Sequence, residues 1–291
     1  MRIDSFKKNT LHIVVMIIIA TAATAAFAAN EQGSPADALM HHIIDQHEWQ
    51  PIPGLKPIPL HDITIGPVTI PVTKHVVMLW IIGIFVATIF VAAFHRVKVV
   101  PSGVASALEP LLFFVRDSIV YPAMGEEMGK EWLSFFLTLF FFILCANLIG
   151  LVPLFGTATG NLSVTAALAL MIFVLLIGVG VKKNGPAGFF RTMMPEGMPL
   201  PFGLAMLVIE VPSLVIRNGV LAIRLFANMI AGHFVIGSLL LLIFIIHPAA
   251  TVVSVPMALF INLLEVLVAV IQAMVFTMLS AIFIKSAVSH H

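Results

Sequence analysis

From residue 76 onward the chain alternates long apolar runs with short polar or basic intervals. Residues 76–94 form the first run. At a rise of about 1.5 Å per residue, a helix of that length crosses a hydrocarbon core about 30 Å thick. His95, Arg96 and Lys98 follow it. Basic residues collect on the cytoplasmic side of a membrane, so this end is expected to face the cytoplasm. Residues 132–152 and 162–181 are the second and third runs, joined by an uncharged stretch around 153–161. Lys182, Lys183 and Arg191 follow the third and mark the cytoplasm again. Residues 103–131 interleave apolar positions with Glu109, Arg116, Asp117, Glu126, Glu127, Lys130 and Glu131. This pattern predicts an amphipathic segment lying along the cytoplasmic interface.

Residues 198–246 are almost wholly apolar, too many for one ordinary span of about 20 residues. Two arrangements fit: two spans with a turn near Arg217-Asn218-Gly219, or one long, strongly tilted helix. Charge favours the second. The interval at His247-Pro248 has no Lys or Arg and is expected outside, whereas the basic interval at 182–191 is expected inside. A single crossing satisfies both. Residues 249–284 are also overlong and end at Lys285. The expected fold is an all-α polytopic membrane protein with about five crossings, its N-terminus outside and its C-terminus cytoplasmic.

Composition agrees. Of 291 residues, 60% are hydrophobic and 10% charged, against about 25% charged in a soluble domain. Too few polar residues remain to cover a water-facing surface. The net charge of +1 gives no footprint for nucleic acid. The lone Cys145 excludes an internal disulfide and sits in an apolar run as packing. Arg2, Lys7 and Lys8, an apolar stretch to about residue 26, and Ala26-Phe27-Ala28 follow one another in the order of a signal peptide. Residues 1–28 are therefore expected to be a cleaved leader, with a first membrane anchor as the alternative. Residues 29–75 read as a polar extramembrane segment, and 76–291 as the membrane domain. His41, His42, Asp45 and His47 cluster in the polar segment, but nothing completes a metal-ligand set. They read as a solvated face, and no metal or cofactor is expected.

Ionisable residues in the apolar runs are costly, about 2.5–3.5 kcal/mol each on insertion scales, and default to an ion or proton path. Glu210, Arg217, Arg224 and His233 lie in one of the last two runs, and Glu265 and Gln272 in the other. On a helix turning about 100° per residue, Glu210, Ser213, Arg217, Arg224 and Asn228 fall within roughly 40° of one line. His233 falls on the opposite side, about 14 Å further along. Glu265 and Gln272 share a face. In a hairpin of the two helices, Glu210 sits toward the cytoplasm, His233 and Glu265 toward the outside, and Arg224 between. Blander readings stay open. Arg217 also fits a side chain snorkelling to the interface. His233 and Glu265 also fit a satisfied buried pair, and Gln272 an interhelical hydrogen bond. Arg224 is always charged and has no carboxylate within two turns on its face, so its partner is expected on another chain.

Arg217-Asn218-Gly219 leading into LAIRLFANMIAGH at 221–233 resembles the signature of subunit a of the F-type ATP synthase. The resemblance extends to ANLIGLVP at 146–153, to Glu210-Val211-Pro212-Ser213 and to VIQAMVF at 270–276, and covers roughly residues 76–287. It implies a proton-translocating stator subunit in the bacterial inner membrane. Its last two helices would form a hairpin against a rotor ring of c subunits. Other partners would be the peripheral-stalk subunit b, the remainder of the complex and membrane lipid. Arg224 matches the family's fixed Arg facing the ring, and Asn228 a polar position one turn on. Glu210 and Ser213 match positions lining the cytoplasmic half-channel, and Gln272 a Gln that approaches the Arg. At His233 and Glu265 the family has one acid and one His in either order; here His comes first. Arg217 matches a basic position of accessory standing. The resemblance implies no bond chemistry on this chain. Consistently, the sequence has no phosphate-binding GxxxxGK[ST], GxSxG or HExxH motif. A secondary transporter with a midplane site is the alternative, but no polar motif repeats between the halves. A purely structural scaffold leaves Arg224 and the aligned polar face unexplained.

Overall fold

A computed structural model describes residues 48–49, 58–59, 63–65, 68–70, 73–94, 103–152, 157–192, 200–245 and 251–288. The leader at 1–28, the group His41, His42, Asp45 and His47, and the basic residues His95, Arg96 and Lys98 lie outside the described residues. So do 153–156 and 246–250.

Among the described residues seven α-helices carry the fold: α1 (Lys74–Phe94), α2 (Val104–Phe114), α3 (Tyr121–Met124), α4 (Glu126–Gly150), α5 (Leu162–Thr192), α6 (Leu200–Ile245) and α7 (Thr251–Ser286). Five of them, α1, α4, α5, α6 and α7, are long and apolar enough to cross a membrane. The chain is an all-helical, multi-pass membrane protein. Ahead of the helices stand two minimal antiparallel ladders. β1 (Glu48–Trp49) pairs with β2 (Ile58–Pro59), and β3 (Ile63–Ile65) pairs with β4 (Val68–Ile70) with Ile63 opposite Ile70. The second ladder is built of β-branched Ile, Thr and Val, which favour the extended backbone.

Of the two arrangements open for residues 198–246, the structure has one helix. α6 runs 46 residues without a break, straight through Arg217-Asn218-Gly219. No glycine in it takes a positive φ, so nothing there turns the chain. Its length of about 69 Å far exceeds a hydrocarbon core of about 30 Å, which requires a strong inclination. α7, at 36 residues, is overlong for the same reason. The five residues between them reach at most about 18 Å. α7 therefore returns antiparallel along α6, and the two pack more extensively than any other pair.

The amphipathic segment is shorter than its pattern suggested. A π-helical stretch, Val115–Val120, joins α2 to α3, and the segment stops at Gly125. Gly125 has φ +83°, a left-handed conformation that costs glycine little and ends the helix. Glu126, Glu127, Lys130 and Glu131 consequently open α4. Arg116 and Asp117, side by side in the π-helical stretch, form a two-bond ion pair at 2.7 and 2.9 Å. The Arg116 guanidinium also stands 4.6 Å from the centre of the Phe113 ring.

α4 is the central helix. Its Phe136, Phe140 and Ile143 are fully buried against Met78 and Ile82 of α1, Ile119, and Phe276 of α7. Lipid is as apolar as these side chains, so close packing rather than escape from water holds the helices together. Small residues allow it: Ala146 on α4 and Ala269, Ala273, Thr277, Ser280 and Ala281 on α7 are all fully buried. Thr277 and Ser280 return their hydroxyl protons to the carbonyls of Ala273 and Phe276, leaving no unmet donor. At the far end, α5 kinks at Gly185 (φ +74°) before Pro186. The kink seats Phe189 against Gly180, and Asn184 donates to the Ala287 carbonyl at 3.3 Å, binding the end of α7 to α5.

Candidate functional site

The polar residues of the spans lie on α6 and α7. Leu221, Ala222, Leu225 and Met229 are buried, which fixes the inward face of α6. Arg224 lies roughly a third of a turn away from the middle of that face. Its side chain is exposed and makes no hydrogen bond or ion pair among the described residues. A guanidinium has five donors and stays charged in any protein setting, and among the described residues none of these donors is used.

Two turns earlier the other arginine is occupied. Arg217 donates to the Glu210 carboxylate at 2.9 Å, a pair that the seven-residue spacing brings onto one face. Of the readings open for Arg217, snorkelling alone is thus replaced by an ion pair. Ser213, between the two, is half-buried, as is Asn228 one turn beyond Arg224.

The region of His233 and Glu265 is built around two glycines. The carboxylate of Glu265 rests directly over Gly232 of α6, where any side chain would collide with it. Its Oε1 faces that glycine, and its Oε2 is buried without a hydrogen-bond partner. The His233 imidazole lies instead beside the backbone of Gly150, at the end of α4. No ion pair joins His233 to Glu265. The two share one region but are not the mutually satisfied pair that their chemistry alone allows.

The contact of Glu265 with Gly232 also fixes the register of the hairpin. Gln272 lies about 10.5 Å along α7 from Glu265, and Arg224 about 12 Å back along α6 from Gly232. In an antiparallel pair these distances bring Gln272 and Arg224 to the same level. Gln272 is half-buried and makes no hydrogen bond among the described residues, so it is not spent on joining helices.

Sequence reasoning missed Asn147, Thr159, Gly150 and Gly232. Asn147 is wholly buried; its Nδ2 donates to the Ala269 carbonyl of α7 at 3.3 Å, and its Oδ1 accepts from the Thr159 hydroxyl at 3.0 Å. Thr159 sits in the 3-10 turn Ala158–Gly160, itself buried against α4, α5 and α6. The available signal was an amide inside an otherwise apolar span, where an unmet donor is costly. Among the described residues, no group of three His, Cys, Asp or Glu is placed to hold a metal ion.

Comparison with known proteins follows this geometry. Residues 76–285 match the family model of the ATP synthase A chain. The chain is 40% identical over 274 residues to ATP synthase subunit a 2 of Chlorobium luteolum, covering 90% of this chain and 79% of the relative. It is 44% identical over 232 residues to ATP synthase subunit a of Myxococcus xanthus, covering 78% and 76%. A likeness of this depth, across the five membrane-capable helices, places the chain in the ATP synthase A chain family.

Proposed function

We propose that this subunit is the proton-translocating stator of a rotary ATP synthase, presenting two offset half-channels to a ring of c subunits. The observation that carries the reading is Arg224, an exposed guanidinium without a partner among the described residues, on a helix whose other arginine is already paired. A carboxylate on each passing ring subunit is the complementary group. Protonated, it faces lipid at low cost; ionised, it needs a cation. Arg224 takes up the ionised form as it passes from one half-channel to the other. Its fixed charge also bars a proton from crossing directly between them.

Glu210, Ser213 and Asn228 serve the cytoplasmic half-channel, with Arg217 as accessory through its pair with Glu210. His233 and Glu265 take protons from the outside, and Gln272 stands level with Arg224. A proton crossing about 100 mV releases about 2.3 kcal/mol, which ring rotation accumulates over many steps. The subunit does no bond chemistry, and ATP is made elsewhere in the complex. By the positive-inside rule, Lys182, Lys183 and Arg191 support a cytoplasmic end for α5 in a bacterial inner membrane, with the N-terminus outside and the C-terminus inside. Residues 1–28 are a cleaved leader, 29–75 an extramembrane segment, and 76–291 the membrane domain, in which the segment from 103 to Gly125 lies along the cytoplasmic face. The peripheral-stalk subunit b is a further partner.

The test is ATP-driven acidification of inverted membrane vesicles carrying Arg224→Ala, with assembled complex quantified by blot. Loss of pumping at normal assembly supports the reading. Pumping at the wild-type rate overturns it.

A further inference from the structure

We propose that Asn147 is a positioning residue that sets the register of α7 and, through it, the place of the Glu265 carboxylate; this rests on the reading of Glu265 as a proton carrier. Three observations converge. Asn147 and Thr159 are both fully buried, and both polar atoms of the amide are used, one toward α7 and one toward the 158–160 turn. The carbonyl it grips, Ala269, is one helical turn from Glu265. One turn beyond Asn147 on α4, Gly150 lies beside the imidazole of His233, and the Met229 side chain of α6 packs over it. The last turn of α4 thus meets α7 at Asn147 and α6 at Gly150.

This arrangement accounts for the separation of the acid from the imidazole. Neither reaches the other directly: the Glu265 carboxylate sits over Gly232 of α6, and His233 lies toward Gly150 of α4. The Thr159 hydroxyl can donate only to the amide oxygen, so it orients the Asn147 side chain with its NH2 toward Ala269. Asn147 is wholly buried, and one donor and one acceptor of its amide end on protein. Its effect on proton flow passes through the position of Glu265. Ala269 and Ala273 on α7 are fully buried, so the helix lies tightly against α4 and a small rotation moves the carboxylate off Gly232.

The experiment uses the assembled complex in inverted vesicles and reads ATP-driven pumping per assembled complex. Thr159→Val keeps the shape but removes the donor, and Asn147→Leu removes the amide. Both are expected to slow pumping by about fivefold or more, the factor that follows from leaving one buried polar group unmet. Thr159→Ser keeps the hydroxyl and is expected to restore the wild-type rate, which packing alone does not explain. Wild-type pumping in Thr159→Val overturns the positioning role. Equal losses in Thr159→Val and Thr159→Ser also overturn it, because the hydroxyl is then not what matters. Glu265→Gln, measured in parallel, separates the two ideas. If Glu265→Gln pumps normally, the reading of Glu265 as a carrier fails and takes the proposal with it. If it does not pump while Thr159→Val does, the carrier stands and the positioning role falls.

Discussion

The carboxylate of Glu265 occupies the space that a side chain at residue 232 would fill, so the acid of one helix is seated on the bare backbone of the other. The atoms that a new methyl at Gly232 meets belong to the flexible end of Glu265, and the expected response is displacement of the carboxylate rather than unfolding. Gly232→Ala is expected to assemble, with pumping reduced by about tenfold or more, since misplacing a reacting group by about 1 Å is that costly. Adding Glu265→Asp, which withdraws the carboxylate by one methylene, is expected to recover part of the rate. Pumping and assembled complex measured together check both expectations.

Glu210 and Arg217 carry opposite charges on one face of α6, and each neutralises the other at 2.9 Å. Removing one leaves the other without its partner in an apolar setting, whereas removing both leaves neither. Glu210→Gln alone is therefore expected to lower the amount of assembled complex more than Glu210→Gln with Arg217→Gln. Pumping is expected to fall in both variants if Glu210 also serves the inner half-channel. Quantitative blots of membranes carrying the three forms decide the first point, and vesicle acidification the second.

His233 lies beside the backbone of Gly150 and leaves Glu265 to Gly232. His233→Ala removes one polar contact from a half-buried position, a loss of about 1 kcal/mol, so assembly is expected to survive. Proton entry is expected to slow, because imidazole is the side chain that titrates nearest neutrality. Passive proton conductance of membranes stripped of the catalytic head measures it directly. Unchanged conductance at normal content removes His233 from the path.

Most of the architecture was legible in the chain. The long apolar runs located the membrane helices, and loop charge alone chose a single helix for residues 198–246, which α6 is. The seven-residue spacing that aligned Glu210 with Arg217 became an ion pair. What stayed hidden depends on which helix stands beside which. Asn147 and Gly232 each look like packing until α7 is laid against them. The sharp stop at Gly125 was hidden for another reason: the acidic residues after it continue the amphipathic pattern, and only the positive φ marks the break.

The Arg116–Asp117 pair is exposed, and the Arg116 guanidinium holds the Asp117 carboxyl below the usual carboxylate range through their hydrogen bonds. A lowered folded-state value means that the stabilisation is complete above the ordinary carboxyl value, about 4. It is lost as pH falls through the lowered value. The difference in melting temperature between wild type and Asp117→Asn is therefore expected to be small and constant from about pH 9 to about pH 5, and to shrink only below about pH 4. Thermal unfolding of the solubilised complex across that range tests the sign. A difference that grows on acidification contradicts it.

Three glycines on α5 differ in one physical respect each, and their alanine variants are expected to separate accordingly. Gly178 is exposed, with open space where a methyl would go and ordinary helical backbone. Gly178→Ala is expected to be neutral or to stabilise by up to about 1 kcal/mol, as alanine does in a helix interior. Gly185 has the same open space but a φ of +74°, so Gly185→Ala is expected to cost about 1–2 kcal/mol from backbone strain alone. Gly180 has helical backbone, but a methyl there would press on the Phe189 ring and on the Ala287 carbonyl at 3.1 Å. Phe189 is buried and cannot swing aside freely, so Gly180→Ala is expected to loosen the end of α7 and to cost about 1–3 kcal/mol, the range for overpacking. Melting temperatures of the three variants give the order 178, 185, 180 from most to least stable if strain and collision act as the geometry requires. Limited proteolysis at the C-terminus distinguishes the last two. Only Gly180→Ala presses directly on Ala287, the residue by which Asn184 ties down α7.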